Sequence, residues 1–319
     1  MPSASRSRRL SSSRIPAVLA ALVVATSLAG CSSERAPSSD GRLQVEASFY
    51  PLQWMAQRVG GAHVDVGSLT KPGAEPHDLE LTPKDVAAVA DADLVVYLSG
   101  FQASVDAAVA DAGSDGPAIF DARPAARLDL TYTPIEEGKE DAASAGATDP
   151  HFWQDPTRLA AVARSFERTL AERDPAHAGA YARNLRGLLA DLRTLDQDFA
   201  TDLRSCTNDD LVTSHNAFGY LARRYGLRQV GITGLTPEDE PSPRDLADIT
   251  RFVERNHVRT IYFETLVSPA IARTVAKEAG AHTDVLDPIE GLNDRSQGRD
   301  YLAVMRSNLA NLRRDQPCP

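Results

Sequence analysis

One stretch, residues 174–203, constrains the fold of this chain more than any other. Its apolar residues Tyr181, Leu185, Leu188, Leu192, Leu195, Phe199 and Leu203 recur four and three apart, the period of one amphipathic α-helix. Asp174 reads as the N-cap and Pro175 as a first helical residue that needs no N–H. No proline interrupts the run after that, and Gly187 is a weak point within it. At roughly 1.5 Å per residue such a helix is about 40 Å long, close to the width of a domain. Two histidines in loop-like settings lie on its N-terminal side, and a third histidine and a well-placed acid lie on its C-terminal side. The stretch therefore reads as a rigid rod joining two lobes, each supplying half of a metal site.

Composition narrows the class. The chain has 319 residues, 42% hydrophobic and 24% charged, which suits an ordinary globular protein of about two domains. A formal charge of −10, with no basic run interleaved with aromatics beyond the first residues, argues against a nucleic-acid surface. At the N-terminus, Arg6, Arg8, Arg9 and Arg14 precede an apolar run over residues 15–28 that is too short to span a bilayer comfortably. Residues 1–30 read as a signal peptide. Leu28-Ala29-Gly30-Cys31 resembles a bacterial lipobox, with cleavage before Cys31 and lipid on its thiol; a plain secretory signal with a chance cysteine is the alternative. Arg8-Arg9 followed by Leu10-Ser11 matches twin-arginine export poorly. Cleavage removes four arginines and no acid, taking the charge from −10 to −14. Residues 31–41, rich in Ser and Pro, read as a flexible tether. Cys206 and Cys318 then remain in an oxidising compartment and are expected to pair, with free thiols or metal ligation as alternatives.

The order of elements gives the fold class. Strands are expected over residues 43–48, 63–69, 93–98 and 117–121, with helices over 50–59, 82–90 and 102–112 between them. Residues 132–149 are polar and acidic and read as a surface loop; residues 155–172 form a further helix. Beyond Cys206 the alternation returns, with strands over 210–214, 229–233, 260–263 and 282–286, helices between, and a terminal helix over 299–313. This is α/β architecture: two α/β lobes with parallel sheets joined by one long spanning helix. The domains follow as an N-terminal lobe over residues 42–173, the linking helix over 174–204 and a C-terminal lobe over 205–319. The halves are topologically alike without a sequence repeat.

Seven histidines are present, and their settings differ. His63, His177, His257 and His282 sit among ordinary surface residues. His77, His151 and His215 lie just beyond strand ends or in proline-bounded turns, where open α/β sheets bind ligands. Asp287, at the end of the last strand, is a fourth candidate, and Glu264, after Ile261-Tyr262-Phe263, is its competitor. Three imidazoles with a carboxylate or water suit tetrahedral zinc, while an additional carboxylate in place of an imidazole favours manganese. Neutral imidazoles are required, so binding weakens as pH falls through the histidine range.

These motifs carry a resemblance. Glu75-Pro76-His77-Asp78-Leu79-Glu80-Leu81-Thr82-Pro83, Asp149-Pro150-His151-Phe152-Trp153-Gln154-Asp155-Pro156 and His215-Asn216-Ala217-Phe218-Gly219-Tyr220 resemble the metal-binding lipoproteins of bacterial zinc/manganese ABC transporters, the cluster A-I solute-binding proteins. Glu240-Pro241-Ser242-Pro243 with Leu246, and Asp287-Pro288-Ile289, extend the likeness, which covers residues 42–315. It implies His77 and His151 as ligands from the first lobe, His215 as the third, and Asp287 as the fourth ligand or a nearby acid. Histidine at the third position implies a zinc member, with Zn(II) as the transported ion and Mn(II) as the alternative. It further implies ion transport by a lipid-anchored monomer on the outer face of the cytoplasmic membrane, with an ABC permease as partner and no enzymatic activity. The loop over residues 133–148 departs from many zinc members: it holds Glu136, Glu137, Glu140 and Asp141 but no histidine. Asp149, Asp155, Glu75 and Asp78 are candidates to orient the imidazoles, with helix capping the alternative for Asp155.

Three rivals are weaker. A secreted zinc hydrolase also uses three histidines, but there is no His-Glu-x-x-His helix and no clear general base beside an open position. A chelated metal or cobalamin calls for arginines and aromatics in the cleft, where Trp153 is the only large aromatic flanking a histidine motif. No separate adhesive site is legible.

Overall fold

The computed structural model describes residues 41–133 and 146–316. The expected signal peptide, all but the last residue of the expected tether, Cys31, most of the acidic loop and Cys318 lie outside the described residues. The first half runs β1 (Leu43–Ala47), α1 (Tyr50–Gly60), β2 (Val64–Ser68), α2 (Pro83–Asp91), β3 (Leu94–Tyr97), α3 (Ala103–Ala112), β4 (Ala118–Asp121), the single turn α4 (Arg123–Ala126) and α5 (Pro156–Arg173). After α6 (Ala178–Asp202) come β5 (Asp210–Thr213), α7 (Gly219–Tyr225), β6 (Arg228–Gly231), α8 (Pro243–Arg255), β7 (Thr260–Phe263), α9 (Ala270–Ala279), β8 (His282–Val285) and α10 (Tyr301–Asp315). No helix among the described residues is long and apolar enough to cross a membrane.

The strands form two parallel four-stranded sheets of identical plan, β2-β1-β3-β4 and β6-β5-β7-β8. Alternation along each strand divides the apolar residues between two layers. Leu94 and Val96 of β3 face one core, while Val95 faces a smaller outer core with Leu69, Val89 and Val105. In the second sheet Leu211 and Tyr262 face the same large core, and Val212 and Ile261 face a separate outer one with Ile249 and Val275. The large core runs without a break from β1 and α1 through α5 and α6 to α10, so both sheets are packed on one apolar body.

The middle of that body is α6. Tyr181, Leu188, Leu192, Leu195 and Phe199 are buried along one stripe, and the helix packs on α5, α1 and α10. Arg58 reaches Asp191 at 2.6 Å and Asn184 donates to the Val59 carbonyl at 3.0 Å, fixing α1 against it. Its start departs from the expected cap. Pro175–His177 form a short 3-10 turn, and the Asp174 carboxylate makes no capping bond; it accepts from the Tyr181 hydroxyl at 2.6 Å and lies 2.6 Å from His177 Nδ1. With 25 residues, α6 spans about 37 Å. Other starts are held by side chains in the expected way. Thr82 with Asp85, and Ser242 with Asp245, form reciprocal capping boxes on α2 and α8, and Asp300 caps α10.

The last helix also ties the halves together. From the N-terminal end of α10, Tyr301 stacks at 4.8 Å on Trp54 of α1 and donates its hydroxyl to the Trp153 carbonyl at 2.6 Å.

Candidate metal centre

Parallel strands all deliver their following loops to the same end of a sheet, and here four such loops meet. His77 comes from the loop after β2, His151 from the long connection that runs from β4 past α4 to α5, His215 directly after β5, and Glu290 from the turn after β8. One ligand atom from each lies within 4.8 Å of the others. His151 Nε2 is 3.3 Å from His77 Nε2, and Glu290 Oε1 is 2.9, 3.3 and 3.4 Å from the Nε2 atoms of His151, His215 and His77. A zinc ion with ligands at about 2.0–2.1 Å in tetrahedral array has ligand–ligand edges of about 3.3–3.4 Å. Four of the six donor–donor edges thus measure 2.9–3.4 Å and suit such an ion, and all six lie within 4.8 Å. The second oxygen of Glu290 is buried without a partner, as is one oxygen each of Glu75 and Glu264. Three carboxylates this poor in hydrogen bonds call for positive charge nearby.

Two of the three imidazoles are aimed from behind by a carboxylate. Asp149 Oδ1 lies 2.8 Å from His151 Nδ1 and accepts the His151 backbone N–H at 2.9 Å. Glu264 Oε1 lies 2.8 Å from His215 Nδ1 and accepts the Ser214 hydroxyl at 2.7 Å. Such contacts fix the tautomer that leaves Nε2 free to ligate. Phe101 meets the His77 ring edge-on at 4.8 Å, backed by Phe49 and Trp153. His151, His215 and Glu290 are fully buried, and His77 is 7% exposed at its side chain, so His77 marks the solvent side.

The charges follow from this crowding. Burial alone would lower all three histidines. It prevails at His77, which is pushed below its usual value against the pull of Glu290. At His151 the hydrogen bonds and charges of Asp149 and Glu290 win and raise it; at His215 the Glu264 and Glu290 carboxylates hold it well above the imidazole range. Burial would raise Glu290, but His215 and His77 hold it well below the usual carboxylate range. Glu75, buried beside that anion, is pushed up to about 10.

The expected site residues fall into place unequally. His77, His151 and His215 are brought together. Asp287, the expected fourth donor, is not part of the converging set: its oxygens accept the Ile289 N–H at 2.8 Å and the Thr265 hydroxyl at 3.0 Å. It braces the turn from which Glu290 projects three residues later, and burial pushes its carboxyl up to about 6. The competing acid, Glu264, stands behind His215 and lies with Glu75 and Glu290 in a second cluster of carboxylates. Glu75 accepts the His77 backbone N–H at 3.0 Å, Asp155 caps α5, and Asp78 is exposed. In the turn itself, Ile289 has φ +61, a sterically costly conformation for a β-branched residue. Trp153 Nε1 donates to the Pro288 carbonyl at 2.8 Å, as does Gln154 Nε2, so residues of the His151 motif hold the turn that carries Glu290.

Fold and donor set define a two-lobed binding protein with an imidazole–carboxylate cage at the junction of its sheets. Residues 45–315 match the family of zinc-uptake complex component A, periplasmic (ZnuA), and the chain belongs to that family. It is 34% identical over 304 residues to the high-affinity zinc uptake system protein ZnuA of Bacillus subtilis (strain 168), covering 93% of this chain and 95% of that protein. It is 34% identical over 309 residues to the zinc-binding lipoprotein AdcA of Streptococcus pneumoniae, covering 95% of this chain but only 61% of that longer relative. Among solved structures, the Zn(II)-bound ZnuA-like domain of Streptococcus pneumoniae AdcA matches with a TM-score of 0.72 at 32% identity, over 87% of this chain and 100% of that domain.

Proposed function

We propose that this chain captures Zn(II) outside the cytoplasm with His77, His151, His215 and Glu290 and delivers it to an ABC permease for import. The observation that carries the reading is the convergence of three imidazole Nε2 atoms on Glu290 Oε1 at 2.9–3.4 Å, with His77 and His151 3.3 Å apart, close to tetrahedral edges. Nitrogen-rich donors favour a borderline ion over a harder one, which supports zinc ahead of manganese. Four protein donors close a tetrahedral shell and leave no position for an activated water, which supports a carrier and not a hydrolase. Bound zinc needs neutral imidazoles, so loading displaces any proton on the Nε2 atoms of His151 and His215 that face Glu290, while Asp149 and Glu264 keep their Nδ1 contacts.

The wider reading keeps residues 1–30 as a signal peptide, Cys31 as the lipidated residue, a monomer anchored on the outer face of the cytoplasmic membrane, and a disulfide between Cys206 and Cys318. The lobes over residues 42–173 and 205–319 share one core along α6, so capture proceeds by small tilts and loop ordering. Metal analysis of protein purified without chelator, paired with zinc–manganese competition, tests the proposal. One tightly held zinc per chain is expected; a chain that prefers manganese or holds neither ion would refute it.

A further inference from the structure

Asp149 is 4% exposed, and its Oδ1 is committed to His151. Its other oxygen lies against Gly219, the first residue of α7 in the second half of the chain. A Cβ at Gly219 would sit 2.6 Å from Asp149 Oδ2, closer than such atoms approach, and 3.3 Å from Leu130 Cδ1, a tight contact. The next residue, Tyr220, donates its hydroxyl to the Asp149 carbonyl at 3.1 Å. The backbone itself does not require glycine here, since Gly219 has no positive φ, and alanine is the better helix former. What the missing Cβ leaves is room for the carboxylate. Beside it, a pocket of about 420 Å³, lined by Asp149, Asn216, Gly219 and Gln229, would receive the carboxylate if it were pushed away from His151.

We propose that Gly219 is the positioning residue of His151: lacking a side chain, it lets the second lobe seat Asp149 within hydrogen-bond distance of the first lobe's imidazole. The stretch His215-Asn216-Ala217-Phe218-Gly219-Tyr220 then serves both lobes, His215 as a donor and Gly219 with Tyr220 as the seat of the opposite brace. The inference rests on the zinc reading above.

The test is zinc affinity of the full chain, measured by competition with a chromophoric chelator, for wild type, Gly219→Ala, Asp149→Asn and the double variant. Loss of an orienting partner behind a ligating histidine costs about 10–100-fold, which is expected for each single variant. The double variant should be no weaker than the weaker single one, because both break the same contact. Gly187→Ala on α6, where a Cβ meets nothing within 4 Å, keeps wild-type affinity. Unchanged affinity in Gly219→Ala, or fully additive losses, overturns the inference, whereas a wild type that binds no zinc overturns the zinc reading instead. Melting of the metal-free chain reports whether Gly219→Ala folds. If it does not, Tyr220→Phe carries the test: a loss of about 2–10-fold is expected for the missing hydroxyl, and none overturns the inference.

Discussion

Exchanging Glu290 for glutamine changes one atom's chemistry in a side chain that is 0% exposed. The amide keeps the shape but removes the charge, at a point 2.9–3.4 Å from three imidazole nitrogens. Those distances are close to the edges of a tetrahedron about 2 Å in radius, the spacing of an immediate donor and not of a distant orienting group. Orienting partners of ligands typically contribute 10–100-fold in affinity, and a direct anionic donor should exceed that range. Glu290→Gln is therefore expected to weaken zinc by at least about 100-fold, or about 2.7 kcal/mol at 1.36 kcal/mol per tenfold. The comparison is Asp287→Asn. Asparagine still offers an oxygen to the Ile289 N–H, the bond that shapes the turn, so this variant should lose less than about tenfold. Both are read by chelator competition, with the metal-free melting temperature checked for each. If Asp287→Asn lost its zinc while Glu290→Gln bound like wild type, Asp287 would be the ligand and the geometry drawn here would be wrong.

Zinc affinity should decline as pH falls, and the decline should begin above 6.5, because His151 and His215 are held above that ordinary value in the metal-free chain; titration of affinity between pH 5 and 8.5, about the histidine range, reads this. Metal-free stability follows a different curve. The raised histidines stabilise fully below about 6.5 and lose that contribution as pH rises through their folded values, while depressed Glu290 stabilises above about 4.5 and loses its contribution as pH falls through its own. Raised Glu75 likewise loses its contribution as pH rises, so melting of the metal-free chain, with chelator, should fall as pH climbs above about 6.5. Leu192→Ala empties a side chain 1% exposed in the shared core and should cost about 2–5 kcal/mol; circular dichroism in urea should show one cooperative transition at a lower midpoint, not separate lobes. His215→Glu replaces a soft donor with a hard one and should shift zinc–manganese competition toward manganese; an unchanged preference would count against His215 as a ligand.

Most elements were legible because their signals are local. Residues 93–98 hold the continuous apolar run Leu94-Val95-Val96-Tyr97-Leu98 and contain β3; Thr82-Pro83 and Ser242-Pro243 announce helices that begin at the residues expected. Asp174 was misleading for an equally physical reason: Pro175 allows a 3-10 turn, and Tyr181, one helical turn into α6, takes the carboxylate that would have capped it. The three histidines were visible from their place after strands. Glu290 was not. Asp287 is the first acid beyond the last strand and stands out for that reason, whereas Glu290 follows only after Pro288 and Ile289. An acid between Ile289 and Gly291 was the available signal, and the positive φ at Ile289 that aims it is a property of the folded turn alone. Gly219 is the same kind of case, since only the approach of Asp149 from the other half explains it.

The strand order has a consequence for how such a cage can be retuned. β2, β4 and β8 are outermost in their sheets, so the segments bearing His77, His151 and Glu290 hang from margins, whereas His215 follows the inner strand β5. Margins tolerate longer, shorter or reshaped segments without disturbing a neighbouring ladder. His215 is thereby set next to the inner framework of its sheet, while His77, His151 and Glu290 sit on segments that can change length or shape with both sheets unaltered, provided the contacts that tie the His151 segment to the Glu290 turn are kept.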